Sequence, residues 1–142
     1  MCARRTYYID SCIWLNLFKK EGDSAKEIPY WKLAMDFLEK GNKIIVSTIV
    51  IKELSYKVPK KIGYVIKFFK INDCIELIKT KPEDYELARK LECEDESKIS
   101  FYDYLHVAIS MRLNIPLITR DKELIQFAKN HIEVFKPEEL IN

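Results

Sequence analysis

The sequence predicts an α/β layer fold in which a parallel sheet is covered by helices on both faces. Three observations lead there. Short segments rich in Ile, Val and Tyr recur along the chain, and most of them are continuous apolar runs rather than alternations. Continuous runs belong to strands buried on both faces, the habit of parallel sheets sandwiched by helices. The stretches between them carry helical spacing, and strands alternating with helices imply layers.

The predicted strands are Thr6 to Ile9, Lys43 to Val46, Cys74 to Ile78, Ile115 to Ile118 and Glu133 to Phe135. Among the helices, Trp31, Ala34, Met35 and Leu38 fall at i, i+3, i+4 and i+7, and Phe101, Tyr104, Leu105, Ala108 and Ile109 repeat that stripe. Breaks at Glu21-Gly22-Asp23, Gly41-Asn42, Lys57-Val58-Pro59, Lys81-Pro82, Asn114-Ile115-Pro116 and Lys136-Pro137 fall near the expected boundaries. None is long enough for a linker and no repeat is visible, so residues 1–142 read as a single domain. The acidic stretch Glu92 to Glu96 reads as the solvated end of a helix.

Hydrophobic residues make up 48% of the chain and charged ones 32%, with three glycines and five prolines, which excludes a disordered chain. Twenty-four basic against 22 acidic residues give a net charge of +2, so any nucleic-acid site must be a local patch. Cys2, Cys12, Cys74 and Cys93 form no CxxC pair, arguing against a zinc site or disulfide framework and for reduced thiols in the cytoplasm. No apolar segment is long enough for a signal-peptide core or a membrane span. The absence of GxxxxGK[ST], GxGxxG, GxSxG and HExxH patterns counts against nucleoside triphosphatase, dinucleotide, serine-hydrolase and zinc-protease chemistry.

Four acids carry the chemistry. Asp10 ends the first predicted strand and Asp121 follows the fourth, so both sit at the strand C-termini, the rim where parallel sheets bind ligands. Glu53 lies about a turn and a half into the helix after the second strand and can lean back over that rim. Asp103 lies in the first turn of a helix beginning near Ser100, and its path to the rim depends on tertiary packing. Each aspartate also has a plain structural explanation. Asp10 or Ser11 and Asp121 can cap helices, and Ser100-x-x-Asp103 is a capping box with Asp for Glu, each worth about 1 kcal/mol. A cap explains Glu53 worst, since it falls too deep in a helix that otherwise looks buried. Hard cations such as Mg²⁺ or Mn²⁺ prefer carboxylate oxygen, and four acids on one rim suit one or two of them. Such a site can activate water and stabilise charge in phosphodiester hydrolysis without a protein nucleophile.

Three motifs resemble the PIN-domain family, of the kind that serves as toxin in VapBC-type toxin-antitoxin pairs. They are Tyr8-Ile9-Asp10-Ser11; Val46-Ser47-Thr48 running to Glu53-Leu54; and Ser100-Phe101-Tyr102-Asp103 through Ser110, continuing in Ile115-Pro116-Leu117-Ile118-Thr119-Arg120-Asp121. The resemblance spans nearly the whole chain in order. It implies a PIN-like three-layer α/β/α fold with a parallel sheet of four to five strands and an Mg²⁺- or Mn²⁺-dependent endoribonuclease acting through Asp10, Glu53, Asp103 and Asp121. It also implies RNA as substrate, a small antitoxin partner and a homodimer. Two positions depart from the family's pattern: Cys12 stands where many members have asparagine, and Leu124 where many have phenylalanine. A non-catalytic PIN-like module that binds RNA or protein, with its acids as caps, and a DNA-directed nuclease are the competing readings.

Ser11 and Thr119 can add supporting hydroxyls. For RNA, the candidates are Arg120, whose guanidinium could hold a phosphate bidentately, with Lys52, Lys122, Lys19, Lys20, Lys57, Lys60 and Lys61; the competing reading is an ordinary solvated lysine face. Trp14 and Tyr102 could stack a base, although aromatics beside apolar runs usually belong to a core or dimer surface. His106 lies at i+3 from Asp103, but a single helix histidine is more often packing or pairing, and it is not assigned a role.

Overall fold

The computed structural model describes residues 5–22 and 24–141. Cys2 and Asp23, named above, lie outside the described residues. The chain forms β1 (Thr6–Ile9), α1 (Ser11–Lys19), α2 (Tyr30–Leu38), β2 (Lys43–Ser47), α3 (Thr48–Lys57), α4 (Ile62–Ile71), β3 (Ile75–Ile78), α5 (Pro82–Glu94), α6 (Phe101–Leu113), β4 (Leu117–Ile118), α7 (Lys122–Ala128) and β5 (Val134–Phe135). Short 3-10 turns follow at Pro59–Lys61 and Pro137–Leu140. All five strands pair in parallel, in the order β3-β2-β1-β4-β5. Each of the five expected strands is present. The last two are shorter than their apolar runs, because only two residues of each find a ladder partner.

Adjacent residues of β1 show why the strand is apolar throughout. Side chains alternate between sheet faces, and Tyr7 packs edge-on against Phe37 of α2 while Tyr8 lies against His106 of α6. Both tyrosines are buried, so helices cover both faces. On one face α1 packs on α2 and α3, and α3 on α4; α5 and α6 form the other pair.

Helix α6 is buried all round from Tyr104 to Ser110, beyond the one stripe that the spacing predicts. Its partner α5 explains this. Arg112 of α6 reaches the fully buried Asp84 of α5 through Nε to Oδ1 at 2.6 Å and Nη2 to Oδ2 at 3.1 Å, closing the outer side of the helix. Asn114 ends α6 in the left-handed conformation, φ 54°, one of the few states asparagine tolerates readily. In α2 the spacing is followed less closely: Ala34 and Phe37 are the buried residues, and Trp31 and Met35 line a surface cleft.

The strand order sets the location of any site. From β1 the chain goes to β2 and β3 on one side, then crosses back to β4 and β5 on the other, so the C-terminal ends of β1 and β4 flank a topological switch point. Asp10 and Asp121 follow these two strands. A helix leading into a parallel strand runs antiparallel to it, so α6 begins on the rim where β1, β2 and β4 end. That connection carries Asp103 to the rim, the step which sequence spacing alone leaves open.

Candidate metal centre

Asp10 is the N-cap of α1 and is buried. Its Oδ1 accepts from the Ser11 backbone N–H at 2.7 Å, and its Oδ2 accepts from Thr119 Oγ1 at 2.9 Å, so the residues after β1 and β4 are joined through this carboxylate. Ser11 Oγ donates to Glu53 Oε1 at 2.7 Å. The two hydroxyls expected to support the site therefore each hold one of its acids.

Glu53 leans from α3 onto His106 of α6. The His106 Nε2 lies 2.5 Å from Glu53 Oε1 and 3.4 Å from Asp10 Oδ1. Behind it, His106 Nδ1 is 2.7 Å from the Tyr8 hydroxyl, which is 2.7 Å from Ser47 Oγ. One ligand atom from each of Asp10, Glu53 and His106 falls within 4.8 Å of the others, a spacing that one cation could bridge. Burial alone would raise the Glu53 carboxyl, but the hydrogen bond and charge of His106, with help from Ser11 and Lys57, bring it below its ordinary value. Burial would likewise lower His106, and the Glu53 hydrogen bond with the charges of Asp10, Glu53 and Asp103 instead raises it. Tyr8 is raised well above its ordinary value, chiefly by burial.

Asp103 accounts for the electrostatics of the remaining rim. Its backbone N–H donates to Ser100 Oγ at 3.3 Å, so the serine half of the expected capping box forms. Its carboxyl is pushed up to about 6, first by burial and then by the charge of Asp10, with Asp121 adding to the repulsion. Asp121 is exposed and caps α7, its Oδ1 accepting from Glu123 N at 3.0 Å and Leu124 N at 3.4 Å. Its second oxygen is not used by the cap. The structure thus brings Asp10 and Glu53 into direct contact with one histidine, sets Asp103 beside them, and leaves Asp121 at the edge, in reach of Asp103 by charge. A crowd of carboxylates, one of them raised by burial and then by its neighbours, is the donor chemistry that a hard divalent cation fits.

Sequence spacing gives His106 no role and does not single out Tyr8 or Ser47. The signal for His106 was present: i+3 from Asp103 puts both on one helix face. Arg120 differs from expectation. Its guanidinium grips Glu138 through Nη1 to Oε2 at 2.7 Å and Nη2 to Oε1 at 2.9 Å, and lies 4.0 Å over the Tyr30 ring, so it is engaged within the fold instead of open to a phosphate. Trp14 is buried in the core against Phe69 and Phe18. Lys52 and Lys122 are exposed, next to Glu53 and Asp121 in the chain. Lys19, Lys57, Lys60 and Lys61 line one cavity of about 480 Å³ with Val58 and Pro59. Cys12, at one of the two departures, sets its Sγ 3.4 Å from both Thr119 Oγ1 and Arg120 N, and burial with the Asp10 charge raises its thiol well above the ordinary value. It remains a thiol that packs under the rim. Leu124, the other departure, is fully buried.

The family model for the PIN domain matches residues 7–130. The chain belongs to the PIN-domain family. Solved structures share its fold. VapBC2 from Rickettsia felis, solved with a DNA fragment from its promoter, matches with a TM-score of 0.66 at 23% identity, over 91% of this chain and 96% of that one. FitAcB from Neisseria gonorrhoeae matches at 0.66 and 16% identity, over 94% and 99%. VapC20 of Mycobacterium tuberculosis, described as a toxin that cleaves the sarcin-ricin loop, matches at 0.66 and 17%, over 90% and 98%. No curated protein sequence matches. Among the described residues, no helix of this PIN domain is long and apolar enough to cross a membrane.

Proposed function

We propose that this PIN domain is a divalent-metal-dependent endoribonuclease and the toxin half of a type II toxin-antitoxin pair, with a small protein antitoxin as partner and a homodimer as the assembled form. The observation that carries the reading is the convergence of the Asp10 and Glu53 carboxylates at the switch point, with the raised carboxyl of Asp103 beside them. Asp10, Glu53, Asp103 and Asp121 would hold Mg²⁺ or Mn²⁺. When bound, such an ion lowers the pKa of water and stabilises charge on a phosphodiester in transit. The protein's own part is preorganisation. Thr119 and the Ser11 N–H fix both oxygens of Asp10, and Ser11 Oγ with His106 fixes Glu53, so neither carboxylate must be ordered when substrate arrives. The oxygen-rich, thiol-poor donor set supports a hard ion.

RNA is the substrate the resemblance implies, and VapC20 is described as cleaving the sarcin-ricin loop. The basic cavity of Lys19, Lys57, Lys60 and Lys61 supports a backbone contact near the site, since Lys57 is close enough to Glu53 to influence its carboxyl. The test is cleavage of a structured RNA by the purified protein with Mg²⁺ or Mn²⁺ and with chelator, beside Asp10→Asn. Metal-dependent cleavage lost in the folded variant supports the reading. A variant that cuts as well as the parent, and loses only stability, would leave the acids as helix caps.

A further inference from the structure

His106 has both ring nitrogens engaged and no exposed surface. Nε2 points at Glu53 Oε1 and lies 3.4 Å from Asp10 Oδ1, while Nδ1 meets the Tyr8 hydroxyl at 2.7 Å. Two facing lone pairs repel, so a ring nitrogen set this close to a carboxylate oxygen carries a hydrogen. An imidazolium would donate to Tyr8 at Nδ1; in the neutral ring Nδ1 accepts, the Tyr8 hydroxyl donates to it, and the Tyr8 oxygen accepts from Ser47 Oγ at 2.7 Å. Every bond in the chain Ser47, Tyr8, His106, Glu53 then runs toward the rim.

Ser47 supplies an independent sign. It stands at the N-cap of α3 with extended backbone, φ −98° and ψ 162°, where a serine normally accepts from the helix's first turn. Its side chain makes no cap bond and turns to Tyr8 instead. The helix gives up a local bond so that the hydroxyl can serve the buried chain.

We infer that Tyr8 and Ser47 are positioning residues that hold His106 as its Nε2–H tautomer, so that the imidazole orients Glu53 and Asp10 and is withheld from the metal as a ligand. The inference rests on the metal-dependent reading above. Its consequence is selectivity. With the lone pair turned toward Tyr8, the site offers a cation only oxygen, which suits Mg²⁺ and Mn²⁺. A ring free to present a bare Nε2 would make Asp10, Glu53 and His106 a mixed nitrogen and oxygen set, of the kind Zn²⁺ prefers.

The chain has two histidines, so protein labelled with ¹⁵N in histidine alone gives a simple spectrum, and His131→Gln assigns it. The tautomer is read directly, with and without Mg²⁺, and calorimetry compares Mg²⁺ with Zn²⁺ binding. A proton on His106 Nε2 in both states is expected. In Tyr8→Phe the Nδ1 partner is lost, the Nε2 proton becomes labile, and Zn²⁺ affinity relative to Mg²⁺ rises about tenfold, the scale of an outer-shell change. Ser47→Ala moves the ratio the same way by less, and keeps the test open if Tyr8→Phe fails to fold. A bare Nε2 or a doubly protonated ring in the parent protein, or a ratio unchanged in every variant that folds, overturns the inference. If the parent binds neither ion, the metal-dependent reading fails, while the tautomer measured in ion-free protein still decides the hydrogen-bond chain.

Discussion

Replacing Asp103 with asparagine should stabilise the ion-free protein, because the carboxylate is largely buried and lies among like charges. The carboxyl is pushed up to about 6 from its ordinary 3.8, first by burial and then by the charges of Asp10 and Asp121. At about 1.4 kcal/mol per unit this is about 3 kcal/mol, which solvent screening of a part-exposed group trims to roughly 1–2 kcal/mol. The sign follows from proton uptake. Between the unfolded value near 4 and the folded value near 6, the folded state binds more protons than the unfolded chain, so the parent loses stability as pH rises through that window. Below it both states are protonated, and Asp103→Asn should match the parent. Above it the variant should lead by the full 1–2 kcal/mol, a few degrees in Tm. Urea unfolding at several pH values in chelator measures this. Saturating Mg²⁺ should reverse the order, since ligand at a hundredfold over its Kd adds about 2.7 kcal/mol to the form that binds it. A variant less stable than the parent at neutral pH in chelator would refute the reasoning and make Asp103 a helix-terminal carboxylate at work on the dipole.

Two other changes have clear expected outcomes. Arg112→Ala strips the guanidinium from the buried Asp84 carboxylate and should cost about 3 kcal/mol or more, near 10 °C in thermal unfolding; a loss under a few degrees would mean that Asp84 is wetted or paired elsewhere in solution. Lys57→Gln with Lys60→Gln, made in an Asp10→Asn background so that RNA survives, should reduce the slope of log affinity against log salt by about 1.4, the value for two phosphate contacts to a single strand. An unchanged slope would assign the lysine cavity to solvation.

Most of the fold was legible because both of its periodicities are local. Apolar runs such as Tyr7 to Ile9 and Ile44 to Val46 need no knowledge of partners to read as buried strands. What resisted reading was closure across the sheet. The burial of α6 on every side depends on Arg112 finding Asp84, and the shortness of β4 and β5 depends on which residues reach a neighbour. Among the acids, Glu53 draws attention from the sequence alone, because a charge deep in an apolar helix demands a partner. The nearest partner is a histidine, and nothing about His106 in its own helix distinguishes it from a packing residue until Tyr8, 98 residues away, is set against its far nitrogen. Arg120 shows the converse. Beside Asp121 in the chain it looks free, yet Glu138 and Tyr30 claim it through the C-terminal turn.

The hydroxyls at the strand ends tie these observations together. Ser11, Ser47 and Thr119 each follow or end a strand, where a hydroxyl residue is ordinarily explained by the helix or turn that comes next. Ser11 donates to Glu53, Thr119 to Asp10, and Ser47 pairs with Tyr8 behind His106. Of the residues at the ends of β1, β2 and β4, the aspartates are the side-chain caps, Asp10 for α1 and Asp121 for α7, while Ser100 caps α6. The division is physically sensible. A carboxylate has oxygens enough to cap a helix and still face a cation, and the positive end of the helix favours its charge. A hydroxyl has a single hydrogen to donate, and spending it on a neighbouring acid fixes that acid's orientation. Capping and metal binding are therefore not rival explanations for Asp10. The cap bond to Oδ1 and the Thr119 bond to Oδ2 hold the group still, and four lone-pair sites leave room for an ion.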